Sequence, residues 1–300
     1  MGNSHKHSFT FFLFLFPAVF SFAFVIVIPF LFGIYYSFTD WNAMTGTLVN
    51  WVGITNYLAI FRDITFLHAF LVTCAYAILN ILFINFVAFS LALLVTNKLK
   101  LVGVYRAAFF MPNLIGGIIL GYIWQFIFNN ALTSFGSDFG IRFFEMTLLM
   151  SRNSALIAIV IVTTWQMAGY IMMIYVAAIQ SAPVELLEAS HIDGATYLQR
   201  LRHILLPLIA PAFTVAMFLT LVRSFQQFDV NFALTAGGPS GMFMDRALLT
   251  TEFLALNIYN TAFAFRELAQ AQAKSVIFFL IVTSTALVQV YYNKRKELEM

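Results

Sequence analysis

Six long apolar runs, at about 11–36, 67–96, 103–128, 154–179, 206–227 and 272–292, decide what this chain of 300 residues can become. Each is near the roughly 20 residues that a helix needs to cross a hydrocarbon core of about 30 Å. None alternates polar and apolar residues as a barrel strand does. Backbone groups in lipid must satisfy one another within the segment, which a helix achieves alone. The expected fold is all-α and transmembrane, about six membrane-spanning helices in one domain over residues 1–300. Composition excludes the soluble alternative: 10% of the residues are charged and 61% are hydrophobic, against about a quarter charged in soluble domains.

The first run follows Lys6 and extends from Thr10 to about Phe38. A secretory h-region is only about 7–15 residues long, so this run reads as a retained span. An even number of spans puts both termini on one side. If that side is the cytoplasm, the inner segments carry Lys6, Lys98, Lys100, Arg106, Arg200, Arg202, Lys294, Arg295 and Lys296. The outer loops carry Arg62, Arg142, Arg152, Arg246, Arg266 and Lys274 over about twice the length, and this density bias places both termini inside. Trp41, Trp51, Tyr57, Tyr291 and Tyr292 fall where interfacial anchors belong.

Several functions are excluded by what the chain lacks. There is no G-x4-G-K-[ST] phosphate loop, so the chain is not expected to hydrolyse ATP. Cys74 is the single cysteine, and no Cys/His cluster offers a metal site. No dense basic patch with aromatics points to nucleic acid. His5, His7, His68, His191 and His203 lie at ends or in loops, and carboxylates are nearly absent from the spans. That weighs against a proton relay or an ion-coupled secondary carrier, which places coupling groups at mid-membrane.

The segment 181–207, between the fourth and fifth runs, is the most informative loop. Pro183 suits a helix's first turn, Glu185 and Glu188 suit its positive N-terminal end, and Gly194 can adopt the positive φ that turns a chain. A second short helix from about Ala195 carries Arg200, Arg202 and His203 back to Pro207, where the fifth span begins. Val184, Leu186, Leu187, Ala189 and Ile192 put apolar groups on more than one side of the first helix. Such a surface expects either a protein partner or the lipid interface.

Glu188-Ala189-Ser190, three residues, Gly194, nine residues and Ile204-x-Leu206-Pro207 resemble the E-A-A-x3-G-x9-I-x-L-P signature of binding-protein-dependent ATP-binding-cassette importer permeases; Ser190 replaces the second alanine. Phe228-Asp229-Val-Asn-Phe-Ala-Leu-Thr-Ala-Gly-Gly-Pro239 and Tyr259-Asn-Thr-Ala-Phe263 are similar to stretches of the sugar-type, maltose-permease-like members. The likeness is strongest from about Trp165 to the C-terminus. It implies one N-terminal helix ahead of a five-helix core, in a prokaryotic cytoplasmic membrane. It also implies that loop 181–207 is a coupling helix docked on an ATPase: Glu188 pairs with a basic group, Ala189 and Ser190 allow close approach, Gly194 turns, and Ile204, Leu206 and Pro207 lead into the span. The implied partners are two ATPase subunits that bind ATP and magnesium, a second and different permease chain, an external sugar-binding protein, and lipid. The chain itself is expected to hold no cofactor and to catalyse nothing. The competing function is an ion-coupled carrier or channel with no ATPase.

Polar residues recur on single helix faces. Thr220, Arg223, Ser224 and Gln227 share one face of the fifth run, Thr163, Gln166 and Tyr170 one of the fourth beside Trp165, and Thr73, Tyr76 and Asn80 one of the second. Pro112-Asn113 with Gly116, Gly117 and Gly121 marks a bend in the third. Two readings stand: helix–helix hydrogen bonding, or a shared cavity whose amides, hydroxyls and rings suit a neutral sugar. Tyr170 and the fifth-run stripe resemble, by position, residues lining the sugar site of the family. The candidate path is Asn80, Asn113, Trp165, Gln166, Tyr170, Thr220, Arg223, Ser224 and Gln227. Arg223 either snorkels to the interface or meets substrate, in which case a carboxylate or phosphate cargo is a further option.

Overall fold

A computed structural model describes residues 3–42, 49–97 and 100–298. Lys98 lies outside the described residues, as do the side chains of Lys6, Lys294 and Lys296. Four helices are long and apolar enough to span a membrane unbroken: α1 (Phe11–Ser37), α3 (Ile64–Thr96), α6 (Arg152–Ser181) and the last helix, of which Leu268–Asn293 is the spanning part. Two further candidates are bent pairs, so the count reaches six when each pair is one span.

The run 103–128, where a bend is expected, is one of these pairs. Helix α4 (Val102–Leu114) meets α5 (Gly117–Phe139) at 96°. The reason is local: Pro112 has no N–H to give, and Ile115 (φ −80°, ψ 128°) and Gly116 (φ −59°, ψ 134°) are not helical. The run 206–227 is the other. Helix α8 (Tyr197–Leu208) meets α9 (Ala210–Phe225) at 70°, so the break falls at Ile209, not at Pro207. A widened π-turn at Leu201–Leu205 accommodates Pro207 inside the helix, and Pro211, again lacking an N–H, ensures that the chain restarts after Ile209.

By internal contacts the chain forms two compact units, Met1–Asp63 with Ile258–Leu280, and Ile64–Asn257 with Ile281–Met300. In the first, α1 is followed by a loop closed by a bridge between Thr39 and Trp51 and by α2 (Thr55–Arg62). Asn56 donates to the carbonyls of Ser37 and Thr39, both at 2.8 Å. Trp51 stacks on Phe38 at 5.3 Å, while Trp41 packs on Tyr36 at 4.5 Å. In the last helix Lys274 is buried, with Nζ 2.9 Å from Asp63 Oδ2 and 2.9 Å from Thr261 Oγ1.

The second unit is built on α3 and α6. Towards their 181–207 end, Ala88, Ala92, Ala168 and Ala216 let α3, α6 and α9 approach closely around Ile84, Ile171, Met172 and Tyr175. Towards the other end, Tyr76 stacks on Phe253 at 4.5 Å within a cluster that includes Val72, Leu120, Phe128, Ile159 and Leu234. There the all-α expectation fails in one place among the described residues. Strands β1 (Ser240–Phe243) and β2 (Arg246–Leu249) pair antiparallel through a two-residue turn. Met244 and Asp245 both have positive φ, 47° and 60°, the condition for a type I′ turn.

Candidate functional site

The wall of a cavity of about 320 Å³ in the second unit draws on α3, α4, α5, α6, α9 and the segment Gln226–Val230. Its polar groups fall into two sets. The first is committed to holding helices together. Asn80 Nδ2 donates to Ser224 Oγ at 2.9 Å, and Thr163 Oγ1 donates to Asn80 Oδ1 at 2.8 Å, so one amide ties α3 to α6 and α9. One turn and a half further along, Asn85 Nδ2 donates to Thr220 Oγ1 at 3.1 Å and accepts from Tyr175 OH at 2.6 Å. Asn80, Thr163, Thr220 and Ser224 are all buried. Their expected place on shared faces is observed, and what most of their capacity does is join helices.

The second set keeps its hydrogen-bonding groups open to the cavity. Among the described residues the side chains of Asn113, Arg223, Gln226, Gln227 and Asp229 make no side-chain hydrogen bond or ion pair, yet all line the cavity. Gln166 is intermediate: its Nε2 donates to the Ile115 carbonyl at 3.0 Å, bracing the α4–α5 break, and its Oε1 stays free. Of the nine candidate path residues, six therefore line the cavity: Asn80, Asn113, Gln166, Thr220, Arg223 and Gln227. Ser224 sits behind the wall, fully buried. Trp165 packs against Trp124, with centroids 5.7 Å apart. Tyr170 lines a separate open, apolar groove with Arg106, Phe110, Met173 and Ile174.

Of the polar lining residues, Gln226 was not singled out in the sequence, and Asp229 stood only within the Phe228–Pro239 resemblance and not among the candidate path residues. Helix α9 ends at Phe225 and the chain turns into α10 (Asp229–Thr235). The periodicity of α9 stops there, and of the residues just beyond it only Gln227 falls on the extrapolated face. The available signal was the polar run Gln226-Gln227-Phe228-Asp229 itself. Helix α10 is firmly seated: Asn231 Nδ2 donates to the Thr251 carbonyl at 2.8 Å, Asn231 Oδ1 accepts from Phe253 N at 3.2 Å, and Gly238 N donates to the Thr235 carbonyl at 2.8 Å. The Leu234–Pro239 motif thus serves as scaffold for α10.

At the other end of the unit, α7 (Val184–Ile192) begins at Pro183, which is the capping residue and not part of the first turn. The helix closes in a complete Schellman arrangement. Ala195 N donates to the Ser190 carbonyl at 3.0 Å and Gly194 N to the His191 carbonyl at 3.2 Å, with Gly194 at φ +77°. Thr196 then caps α8 through a capping box with Gln199. Ser190 is buried, its Oγ donating to the Leu187 carbonyl at 2.7 Å, whereas Glu188 and Ala189 are exposed. Val184, Leu186, Ile192, Tyr197 and Leu198 leave an apolar surface uncovered around Glu188. Ile204, Leu206 and Pro207 are half-buried along α8.

A polar cavity in the second unit and a rigidly turned, partly apolar loop at one end of that unit are the features a membrane transport subunit needs. The family model "binding-protein-dependent transport system inner membrane component" matches residues 99–298, and the chain belongs to that family. It is a multi-pass inner-membrane permease component. It is 45% identical over 274 residues, 91% of this chain and 90% of the relative, to a probable starch degradation products transport system permease protein of Thermoanaerobacterium thermosulfurigenes. Its fold matches a crystal structure of a bacterial ABC transporter involved in the import of the acidic polysaccharide alginate, with a TM-score of 0.79 at 19% identity over 98% of this chain and 97% of that one. A second structure, of a bacterial alginate ABC transporter in complex with an alginate pentasaccharide-bound periplasmic protein, matches with a TM-score of 0.76 at 20% identity over 96% and 93%.

Proposed function

We propose that this chain is one half of the carbohydrate pathway of an ATP-driven importer, carrying a mono- or oligosaccharide inward across the cytoplasmic membrane. Loop 181–207 faces the cytoplasm with both termini. Two separate ATPase subunits dock there and bind ATP and magnesium; the chain holds no cofactor and performs no catalysis. A second, different permease chain supplies the other half, and an external binding protein delivers the sugar.

The observation that carries this reading is the set of uncharged amides, Asn113, Gln226, Gln227 and the free Oε1 of Gln166, left unpaired around one cavity. Amides donate and accept at once, which matches sugar hydroxyls. The starch-product permease relative and the pentasaccharide-bound protein of the alginate system favour an oligosaccharide. Arg223 and Asp229 both line the cavity, so one charge of each sign leaves no net attraction for an acidic cargo, which favours a neutral one.

The test is affinity purification of the tagged chain, expressed with its operon neighbours, followed by sugar uptake in vesicles. An ATPase should co-purify, and uptake should require ATP. Uptake driven by an ion gradient with no ATPase recovered would establish a secondary carrier and overturn the proposal.

A further inference from the structure

Asp229 is the single carboxylate among the cavity-lining residues. We propose that it accepts hydrogen bonds from a pair of substrate hydroxyls and makes the cavity select neutral over anionic saccharides. This assignment rests on the carbohydrate reading above.

Three observations carry it. First, the Asp229 side chain is exposed and makes no side-chain hydrogen bond or ion pair to another described residue. Arg223 lines the same cavity and is equally uncommitted. Two opposite charges held apart around one space leave the guanidinium donors and the carboxylate acceptors for whatever enters. Second, the position opposite is a glycine. A Cβ built on Gly117 would stand 2.6 Å from Asp229 Cβ and 3.0 Å from its Oδ2. Any side chain at 117 would displace the carboxylate, so the first residue of α5 makes the room that Asp229 occupies. Third, α10 is fixed by the Asn231 and Thr235 bonds described above. The carboxylate therefore projects from a rigid element, not a loose loop.

The chemistry is specific. An ionised carboxylate only accepts, through two adjacent oxygens, and so matches two neighbouring O–H donors as on a vicinal diol. Hydrogen bonds to charged groups are roughly twice as strong as neutral ones. A cargo bearing its own carboxylate or phosphate brings a like charge to those oxygens and is rejected, a repulsive element of the kind that specificity requires.

The experiment uses the complete transporter with its ATPase and binding protein, and follows uptake of glucose through maltoheptaose together with a uronate-bearing trisaccharide. Asp229→Asn keeps the shape and removes the charge; co-purification with the ATPase verifies assembly. Uptake efficiency for the neutral sugars is expected to fall roughly 10- to 100-fold. The ratio of uronate to neutral uptake is expected to rise at least about tenfold by the same scale. Both complexes share one binding protein, so its own preference cancels in that comparison. Gly117→Ala is expected to give a smaller loss, which vanishes in the Asp229→Asn background because the two act through one carboxylate. Uptake and selectivity within about twofold of wild type in Asp229→Asn, well inside that range, overturn the assignment while the carbohydrate reading stands. A wild-type complex that carries no sugar of the series overturns the carbohydrate reading and this assignment with it.

Discussion

Asn80→Ala distinguishes the groups that build the cavity from those left open within it. Asn80 joins α3 to Thr163 on α6 and to Ser224 on α9. Neither hydroxyl is orphaned by its removal, because Thr163 Oγ1 also donates to the Ile159 carbonyl at 2.8 Å and Ser224 Oγ to the Thr220 carbonyl at 2.6 Å. The loss is then two interhelical bonds at about 0.6–1 kcal/mol each, about 1–2 kcal/mol in all. For a chain of this size that is roughly 2–8 °C in the thermal midpoint. Gln227 presents the opposite case: it lines the cavity with no helix partner among the described residues. Gln227→Ala should leave the midpoint within about 1 °C, since surface side chains away from structural contacts cost little, but should reduce sugar uptake roughly three- to tenfold, the worth of one neutral hydrogen bond. The assay is thermal unfolding of the detergent-purified transporter at one fixed scan rate, paired with uptake in vesicles. A normal midpoint with collapsed uptake in Asn80→Ala, or a lowered midpoint in Gln227→Ala, would refute the division into walls and open groups.

Three further outcomes follow from the packing. A Cβ at Gly169 would fall onto the Phe109 carbonyl and the Phe110 backbone; Gly169→Ala should therefore destabilise by about 3 kcal/mol, the upper end for overpacking against backbone that cannot yield, measured as a lowered unfolding midpoint. Gly194 holds φ +77° with open space around its Cα, so Gly194→Val strains only the backbone, by about 1–2 kcal/mol. ATP-driven uptake should fall while the chain still inserts, and unchanged uptake would remove the turn from the coupling path. Lys274 is buried beside the partly exposed Asp63, and Lys274→Ala should cost about 1–3 kcal/mol by removing the Nζ that bonds both Asp63 and Thr261, read out as loss of folded protein in the membrane fraction.

What the sequence made legible is what long-range apolarity and backbone stereochemistry dictate locally. The boundaries of α3 and α6 agree with the apolar runs within about three residues, because lipid demands the length. Gly194 announced its turn, since a Schellman closure needs a positive φ that glycine adopts freely. The bend near Pro112 was readable, but its 96° depended on two extended residues after it. The hairpin was not readable, because Met244-Asp245 lacks the glycine or asparagine that marks a type I′ turn. Nor could the stripes be divided in advance. Thr220 and Arg223 share a helix face, yet only the tertiary partner, Asn85, commits the first to structure. Tyr170 shares its i, i+3, i+7 face with Thr163 and Gln166 but lines the apolar groove and not the cavity, because such a face is wide enough to border two spaces.

On the proposed reading, motion arising at loop 181–207 must reach the cavity through α8 and α9. Helix α8 runs from its capping box to Leu208, about 18 Å at 1.5 Å per residue, and hands over to α9 at Ile209. That residue is 1% exposed, a packed joint and not a loose hinge. Helix α9 is in turn bonded to α3 through Ser224 and Thr220. The movement therefore arrives as displacement of α8, α9, α3 and α6 together. The weaker joint is the extended break at Ile115–Gly116, braced on its carbonyl side by Gln166. The cavity should accordingly open and close between α9 and the α4–α5 side, with Gln227 just after α9 and Asn113 on α4, both in its lining. Cysteine pairs in a Cys74→Ala background test this, the 80–224 pair closed by oxidation to a disulfide because its side chains touch, the 113–227 pair by a bifunctional maleimide. Linking residue 80 to residue 224 should leave uptake near that of the same variant unlinked, because those helices move as one. Linking residue 113 to residue 227 should stop it. If the first link arrests transport and the second does not, the moving boundary lies between α3 and α9, and the bonds of Asn80 must break and re-form in every cycle.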